Sequence, residues 1–185
     1  MTSFEKALVL FLLMLGIVPL ADALENETHE QIQAAMVFHL FNFVQWPEKQ
    51  TAHETHRICM LPNLLAQASF VGLEGVVVKS KPIHVQTCET AACAQDCDIL
   101  LVSQEEERMG KILLDAVAQN PVLTLSIDAG PLAAETMISF YNENGRLRMS
   151  THLSKVLKRG FSISARMLRL MRIVDTEAAI HGAQL

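Results

Sequence analysis

The chain has 185 residues, half of them apolar and 19% charged, with four cysteines and a formal net charge of -5. A nucleic-acid binder would show a basic balance, an unfolded chain fewer apolar residues, and a multi-span membrane protein further long apolar runs, so those classes are excluded. The length is that of one domain.

The apolar residues are concentrated at the start, where 16 of the first 23 are apolar and an unbroken stretch, Gly and Pro included, runs from Ala7 to Ala21. That run of 15 residues is too short to span a bilayer and leads into Ala21-Asp22-Ala23, the small-x-small pattern read by signal peptidase. The expectation is a signal peptide over 1–23 and an exported domain over 24–185, a mature chain of 162 residues with net charge -4. No Cys follows the cleavage site, which argues against a lipoprotein.

Leu24 to Thr28 is polar and expected to fray, and Thr28 with Gln31 forms a capping box for a first helix running to Gln45. Ala34, Ala35, Phe38, Phe41 and Val44 recur at helical spacing, and Leu40 and Phe43 widen the apolar stripe until it nearly encircles the helix. Trp46-Pro47 ends it, because Pro disfavours a helical residue before it. A strand near Ile58 to Leu61 and a short helix around Asn63 to Ser69 come next. Val76 to Val78 and Ile83 to Val85 read as strands around a turn from Lys79 to Pro82.

Asp98 to Val102 is a continuous apolar run suited to a central strand. Ser103 and Glu106 offer another capping box, for a helix to about Ala118 that buries Met109, Leu113, Leu114 and Val117. Val122 to Ser126 is a strand, and Gly130-Pro131 marks the turn after it. Met137 to Tyr141 and Arg146 to Met149 predict a hairpin across Asn142 to Gly145, whose Asn-Gly supplies the left-handed positions of a tight turn. A short helix from Leu153 to Arg159 stops at Gly160, and Ser162 or Ser164 caps a last helix through Val174. Strands alternating with helices and then giving way to a hairpin predict an α/β fold, a three-layer α/β/α sandwich around a mixed sheet.

Export places Cys59, Cys88, Cys93 and Cys97 where disulfides persist. Four cysteines allow three connectivities. Cys59 lies in one strand and Cys97 opens another, while Cys88 and Cys93 flank the short loop Glu89 to Ala92, so Cys59 with Cys97 and Cys88 with Cys93 is favoured. The sharper alternatives are a thiol-redox or metal carrier using Cys93 and Cys97, or ligands drawn from His53-x2-His56-x2-Cys59; no Cys-x-x-Cys is present and neither pattern has a matched second half.

No catalytic constellation stands out: there is no Gly-rich phosphate loop, Gly-x-Ser-x-Gly turn or His-Glu-x-x-His. His39 and His152 read as structural, and the nine scattered Met as core fillers. Lys155, Lys158, Arg159, Arg166, Arg169 and Arg172 make a basic C-terminal end with no acid among them. Met167, Leu168, Leu170, Met171 and Val174 would be its buried side, and the basic side is either a solvated face or one that meets a membrane or partner.

Ala34-Ala35, Phe38 and Phe43-Val44-Gln45-Trp46-Pro47 resemble the Phe-Val-Glu-Trp-Pro helix end that opens the YfiR family of periplasmic proteins. Ile58-Cys59, Cys97 to Leu100, Pro121 to Thr124, Ile138 to Phe140 leading to Gly145 to Arg148, and Gly160 to Ser164 follow in the family's order. Three positions depart from it: Cys97-Asp98 stands for Cys-His, Met149-Ser150-Thr151-His152 for Phe-x-Ile-Asn, and Gln33 for Lys.

The resemblance implies a periplasmic α/β protein with a disulfide joining the two strand cysteines, no cofactor and no enzymatic activity. It also implies repression of a membrane diguanylate cyclase, or a related sensor, through that protein's periplasmic domain, with effects on cyclic di-GMP and biofilm formation. A homodimer and an outer-membrane lipoprotein partner belong to the same expectation, and nucleic acid does not. Candidate partner contacts are Phe38, Phe43 and Trp46 on the first helix and Arg166 and Arg169 at the basic end. A small-ligand sensor is the further alternative, since three-layer α/β folds bind ligands at strand ends.

Overall fold

The computed structural model describes residues 20–47, 54–64 and 67–174. The elements run α1 (Leu20–Phe43), β1 (Val44–Gln45), β2 (His56–Met60), α2 (Gln67–Val71), β3 (Val77–Val78), β4 (Lys81–Thr87), α3 (Ala91–Gln95) and β5 (Ile99–Val102). They continue α4 (Glu107–Ala116), β6 (Leu123–Ser126), β7 (Ile138–Glu143), β8 (Arg146–Thr151), α5 (Leu153–Lys158), β9 (Ser162–Ile163), α6 (Ala165–Leu168) and β10 (Met171–Ile173).

Eight strands form one mixed sheet in the order β10-β8-β7-β6-β5-β2-β4-β3. The middle of the sheet, from β4 through β2, β5 and β6 to β7, is parallel. β3 pairs antiparallel at one edge, and β8 pairs antiparallel with β7 near the other. Strand alternation sends Ile58, Met60, Ile99 and Leu101 into a core beneath α1, α2 and α5, with Val37, Leu40, Phe41, Phe70 and Val156. Cys59, Leu61, Leu100 and Val102 point the other way and meet Leu113, Leu114 and Val117 of α4 and its end. The fold is therefore α/β in three layers, as the sequence predicts.

Gly110 lets α4 lie close on the sheet, since a Cβ there would sit 2.7 Å from Leu132 Cδ1 and 3.5 Å from Val102 Cβ. The β7–β8 turn follows the Asn-Gly prediction: Glu143 pairs with Arg146, and Asn144 and Gly145 take φ of 54 and 73. The β3–β4 turn uses the same geometry without glycine, at Lys79 and Ser80.

Five expectations are corrected. α1 passes through Thr28 from Leu20, so residues 24–28 are helical and the Thr28 capping box starts nothing. Residues 1–19 of the expected leader lie outside the described residues. α1 stops at Phe43 rather than Gln45, because Val44 and Gln45 pair antiparallel with Ile163 and Ser162. The short helix expected around Asn63 to Ser69 lies at Gln67–Val71.

Ser103 makes no capping hydrogen bond, and a 3-10 turn over Gln104–Glu106 precedes α4. The Gln104 N–H is taken instead by Asp128 Oδ2 at 2.8 Å, and the Glu106 carboxylate accepts from Asn63 N at 3.2 Å. Finally, the last helix spans only Ala165–Leu168, capped by Ser164 as expected, and the chain then becomes the edge strand β10. Parallel pairing with β8 gives Met171 to Ile173 backbone partners that a longer helix would forgo.

Gly160 ends α5 with φ 78, and a Cβ there would approach Pro47 Cγ to 3.3 Å. This turn delivers Phe161 into the core and β9 onto β1. Replacing Gly160 by Ala is expected to lower stability by roughly 1–2 kcal/mol, the cost of a left-handed non-glycine residue; urea denaturation midpoints of the two proteins would measure it.

Candidate functional site

Among the described residues three features stand out beside the core: a cleft at the amino ends of the parallel strands, a groove between α1, β8 and α6, and a cluster of all four cysteines.

The cleft is built by residues that begin strands. His56 opens β2, Lys81 opens β4, and Asp98 immediately precedes β5. Phe41, Val44, Gln45 and Trp46 come in from the end of α1, and the space enclosed with Thr55 and Lys79 is about 400 Å³. Phe41 is stacked on Trp46 at 5.4 Å between ring centroids and lies 4.5 Å from the His56 ring, while Phe161 meets Trp46 edge-on at 6.0 Å.

Asp98 is buried and supplies the floor. Its Oδ2 accepts from Arg57 N at 2.8 Å, and its carbonyl accepts from Trp46 Nε1 at 3.3 Å and from Leu123 N at 2.9 Å. The residue that stands where the family resemblance has His is thus an architectural acceptor. His56 Nε2 lies 3.2 Å from the Val78 carbonyl, which can only accept, so this nitrogen carries the ring proton. Burial holds the His56 pKa below its ordinary value, with Lys81 and Lys79 acting in the same sense and Asp98 opposing. An aromatic wall with two lysines at the mouth can receive a flat apolar group with an anionic edge.

The groove, about 430 Å³, is lined by Met36, His39 and Phe43 of α1, Leu147 to Met149 of β8, and Met167 and Leu170 around α6. It is apolar and rich in methionine, a lining that adapts to varied apolar partners. Gln33 fixes the helix above it, its amide donating to the Ile127 carbonyl at 2.8 Å.

All four cysteines are paired, Cys59 with Cys97 and Cys88 with Cys93, as strand placement favoured. In the chain-entropy view, the first, across 38 residues, stabilises by about 4 kcal/mol and the second, across 5, by about 2. Cys93 lies inside α3, whose N-cap Thr90 accepts from Cys93 N. The four sulfurs lie within 4.8 Å of one another, and only Cys93 is not fully buried. Tied in disulfides they present no thiolate to a metal, and Cys93 and Cys97 do not pair with each other. His53 of the drawn metal pattern lies outside the described residues.

The five candidate partner residues are split by the structure. Phe43 lines the groove, and His39 makes ring contacts with Phe38 at 5.4 Å and with Phe43 at 6.3 Å. Trp46 belongs to the cleft, and Arg166 and Arg169 are exposed around α6.

The basic end does not form one face. Lys155 and Arg159 are half-buried with their pKa values lowered by burial, donating to the carbonyls of Ala134 and of Val117. Arg172 is paired with Glu143 and lies 4.9 Å from the Tyr141 ring centroid. Of its expected buried side, Met167 and Met171 are buried, but Leu170 is 69% and Val174 39% exposed.

Sequence reasoning missed His56, Lys81 and Asp98 as neighbours. The usable signal was positional, in that each lies at the start of a strand in the parallel part of the sheet. Among the described residues no helix is long and apolar enough to cross a membrane.

A three-layer α/β protein with two internal disulfides and an aromatic cleft at the amino ends of its strands is the class these features define. The chain matches the YfiR/HmsC-like family over residues 30–172 and belongs to that family. No curated protein matches it individually.

Because the folded protein keeps His56 neutral below its ordinary value of 6.5, the unfolded chain takes up a proton first as pH falls. The stability contributed by the neutral ring is complete above that value and is lost beneath it, levelling once folded His56 also protonates. Thermal melts at about pH 7.5 and about pH 5 should therefore show a larger loss for the wild type than for His56→Gln.

Proposed function

We propose that the protein is an exported periplasmic regulator that represses a membrane-bound diguanylate cyclase, or a related sensor, by docking on its periplasmic domain. Family membership over residues 30–172 is the observation that carries this reading, because the family is regulatory rather than catalytic and bears on cyclic di-GMP signalling at family level. A binding protein of this kind needs only higher affinity for the inactive state of its partner, which shifts the partner's equilibrium without chemistry. Export by the leader over 1–23 brings it to the partner's compartment. A homodimer and an outer-membrane lipoprotein are further partners under the same reading.

We assign the contact to the groove beneath α1, where Phe43 is half-buried beside Met36, Met149 and Met167, with exposed Leu170 at its margin. A second reading, small-ligand sensing, is favoured by the cleft, whose aromatic wall and lysines provide complementary chemistry for an acidic planar ligand.

Deleting the gene is expected to raise cellular cyclic di-GMP, and reintroducing the wild type to restore it. A Phe43→Asp protein that keeps its circular dichroism spectrum should fail to restore it, since a buried charge in the contact is left unpaired. Unchanged cyclic di-GMP on deletion would contradict the reading, and full rescue by Phe43→Asp would move the contact away from the groove.

A further inference from the structure

The two disulfides lie against each other. With all four sulfurs within 4.8 Å, each bridge is next to the other's sulfurs, and a thiol released from one has the other as its nearest electrophile. Their access to solvent differs sharply: Cys59 and Cys97 are 0% exposed, Cys88 is 1%, and Cys93 lies half-buried in the exposed helix α3. An external thiol cannot reach the Cys59–Cys97 bridge in the folded protein, whereas Cys93 offers it a sulfur.

Gln86 links the pair. It is the register partner of Cys59 in the parallel β2–β4 ladder, and its side-chain amide lies 3.4 Å from Cys59 Sγ and 3.7 Å from Cys93 Sγ. One N–H donor group thus holds a sulfur of each bridge on the same side, and donation to sulfur steadies a thiolate as it forms. Gln86 is a positioning residue in this arrangement.

We propose that Cys88–Cys93 is a thiol-exchange site for an external dithiol, and that it relays electrons to the buried Cys59–Cys97 bridge. A thiolate of the dithiol attacks Cys93 Sγ, the Cys88–Cys93 bond breaks, and Cys88 leaves as a thiolate and takes a proton. The dithiol's second thiol closes on the mixed disulfide, departs as its own disulfide, and leaves Cys93 reduced. Cys93 then attacks Cys59, the Cys59–Cys97 bond breaks, and Cys97 takes a proton. Cys88 attacks Cys93 in the resulting Cys59–Cys93 bond, restoring Cys88–Cys93 and releasing Cys59 as a thiol. In net terms two electrons and two protons pass from the dithiol to Cys59 and Cys97, and the outer bridge ends as it began.

The test uses the full oxidised protein with dithiothreitol as the dithiol, and differential alkylation with peptide mass mapping as the readout. Under folded conditions the Cys59–Cys97 bridge should open at least about tenfold more slowly in Cys88→Ser/Cys93→Ser than in the wild type, because the accessible sulfur is gone. A rate that is equal or higher in the double variant, with both proteins folded by circular dichroism, overturns the relay. Cys88→Ser alone provides an independent reading that does not depend on rates. Its Cys93 thiol has lost its partner and should capture Cys59, giving a mapped Cys59–Cys93 bond and a free Cys97. Equilibration in a thiol–disulfide buffer that leaves Cys59–Cys97 intact and Cys93 free also overturns it.

Discussion

The parallel seam between β2 and β5 is the constraint on which the rest of the molecule depends. Ile58, Cys59 and Met60 lie opposite Ile99, Leu100 and Leu101, and every one of these side chains is fully buried. A ladder this short has few hydrogen bonds, so its start is reinforced from both sides. The Asp98 N–H donates to the Arg57 carbonyl and the Asp98 carboxylate accepts from the Arg57 N–H, closing a ring across the two strands. Just before it, the Cys59–Cys97 bridge crosses to the face beneath α3 and α4. Hydrogen bonds to a charged acceptor contribute about 1.5–3 kcal/mol each, so the carboxylate matters on the scale of total stability.

The features outside the core hang on this seam. Trp46 is tied to the Asp98 carbonyl and so holds the end of α1 over the strand starts, which gives the cleft its aromatic wall. The middle of α1 is tied through Gln33 to the backbone just beyond β6. Held at Gln33 and at Trp46, the stretch of α1 between them is kept in a constant position, and the groove that Met36, His39 and Phe43 line inherits that rigidity. A preformed apolar groove loses little conformational entropy on binding, which suits a protein whose proposed work is to recognise one state of a partner. On the opposite face the seam's own disulfide is the inner member of the sulfur cluster, so that cluster sits directly at the joint between β2 and β5.

Much of this was legible in the residues, and the reasons are local. The run Ile99 to Val102 is apolar at every position because both faces of β5 are covered, and Asn144-Gly145 has the conformations a two-residue turn requires. Gly160 was readable as a helix stop for the same reason. Both disulfides followed from which cysteines open or occupy strands and which flank a short loop.

What stayed hidden was set by contacts distant in sequence. Ser103 and Glu106 have the spacing of a capping box, yet Asp128 takes the Gln104 amide and leaves the Ser103 hydroxyl buried without a partner. The final helix carried a helical pattern through Val174, but the open edge of β8 recruited Met171 to Ile173 as a strand. The cleft joins residues from 41 to 98 that share no motif, and Asp98 looked only like a departure from a family pattern until its hydrogen bonds were seen. The most direct test of the seam's role is Asp98→Ala, followed by urea denaturation and by the fluorescence of Trp46, the chain's single tryptophan. Removing the carboxylate leaves the Arg57 N–H without it and is expected to cost about 1.5–3 kcal/mol, with native emission shifted to the red as the cleft wall loosens. An unchanged midpoint together with unchanged native emission would contradict the account.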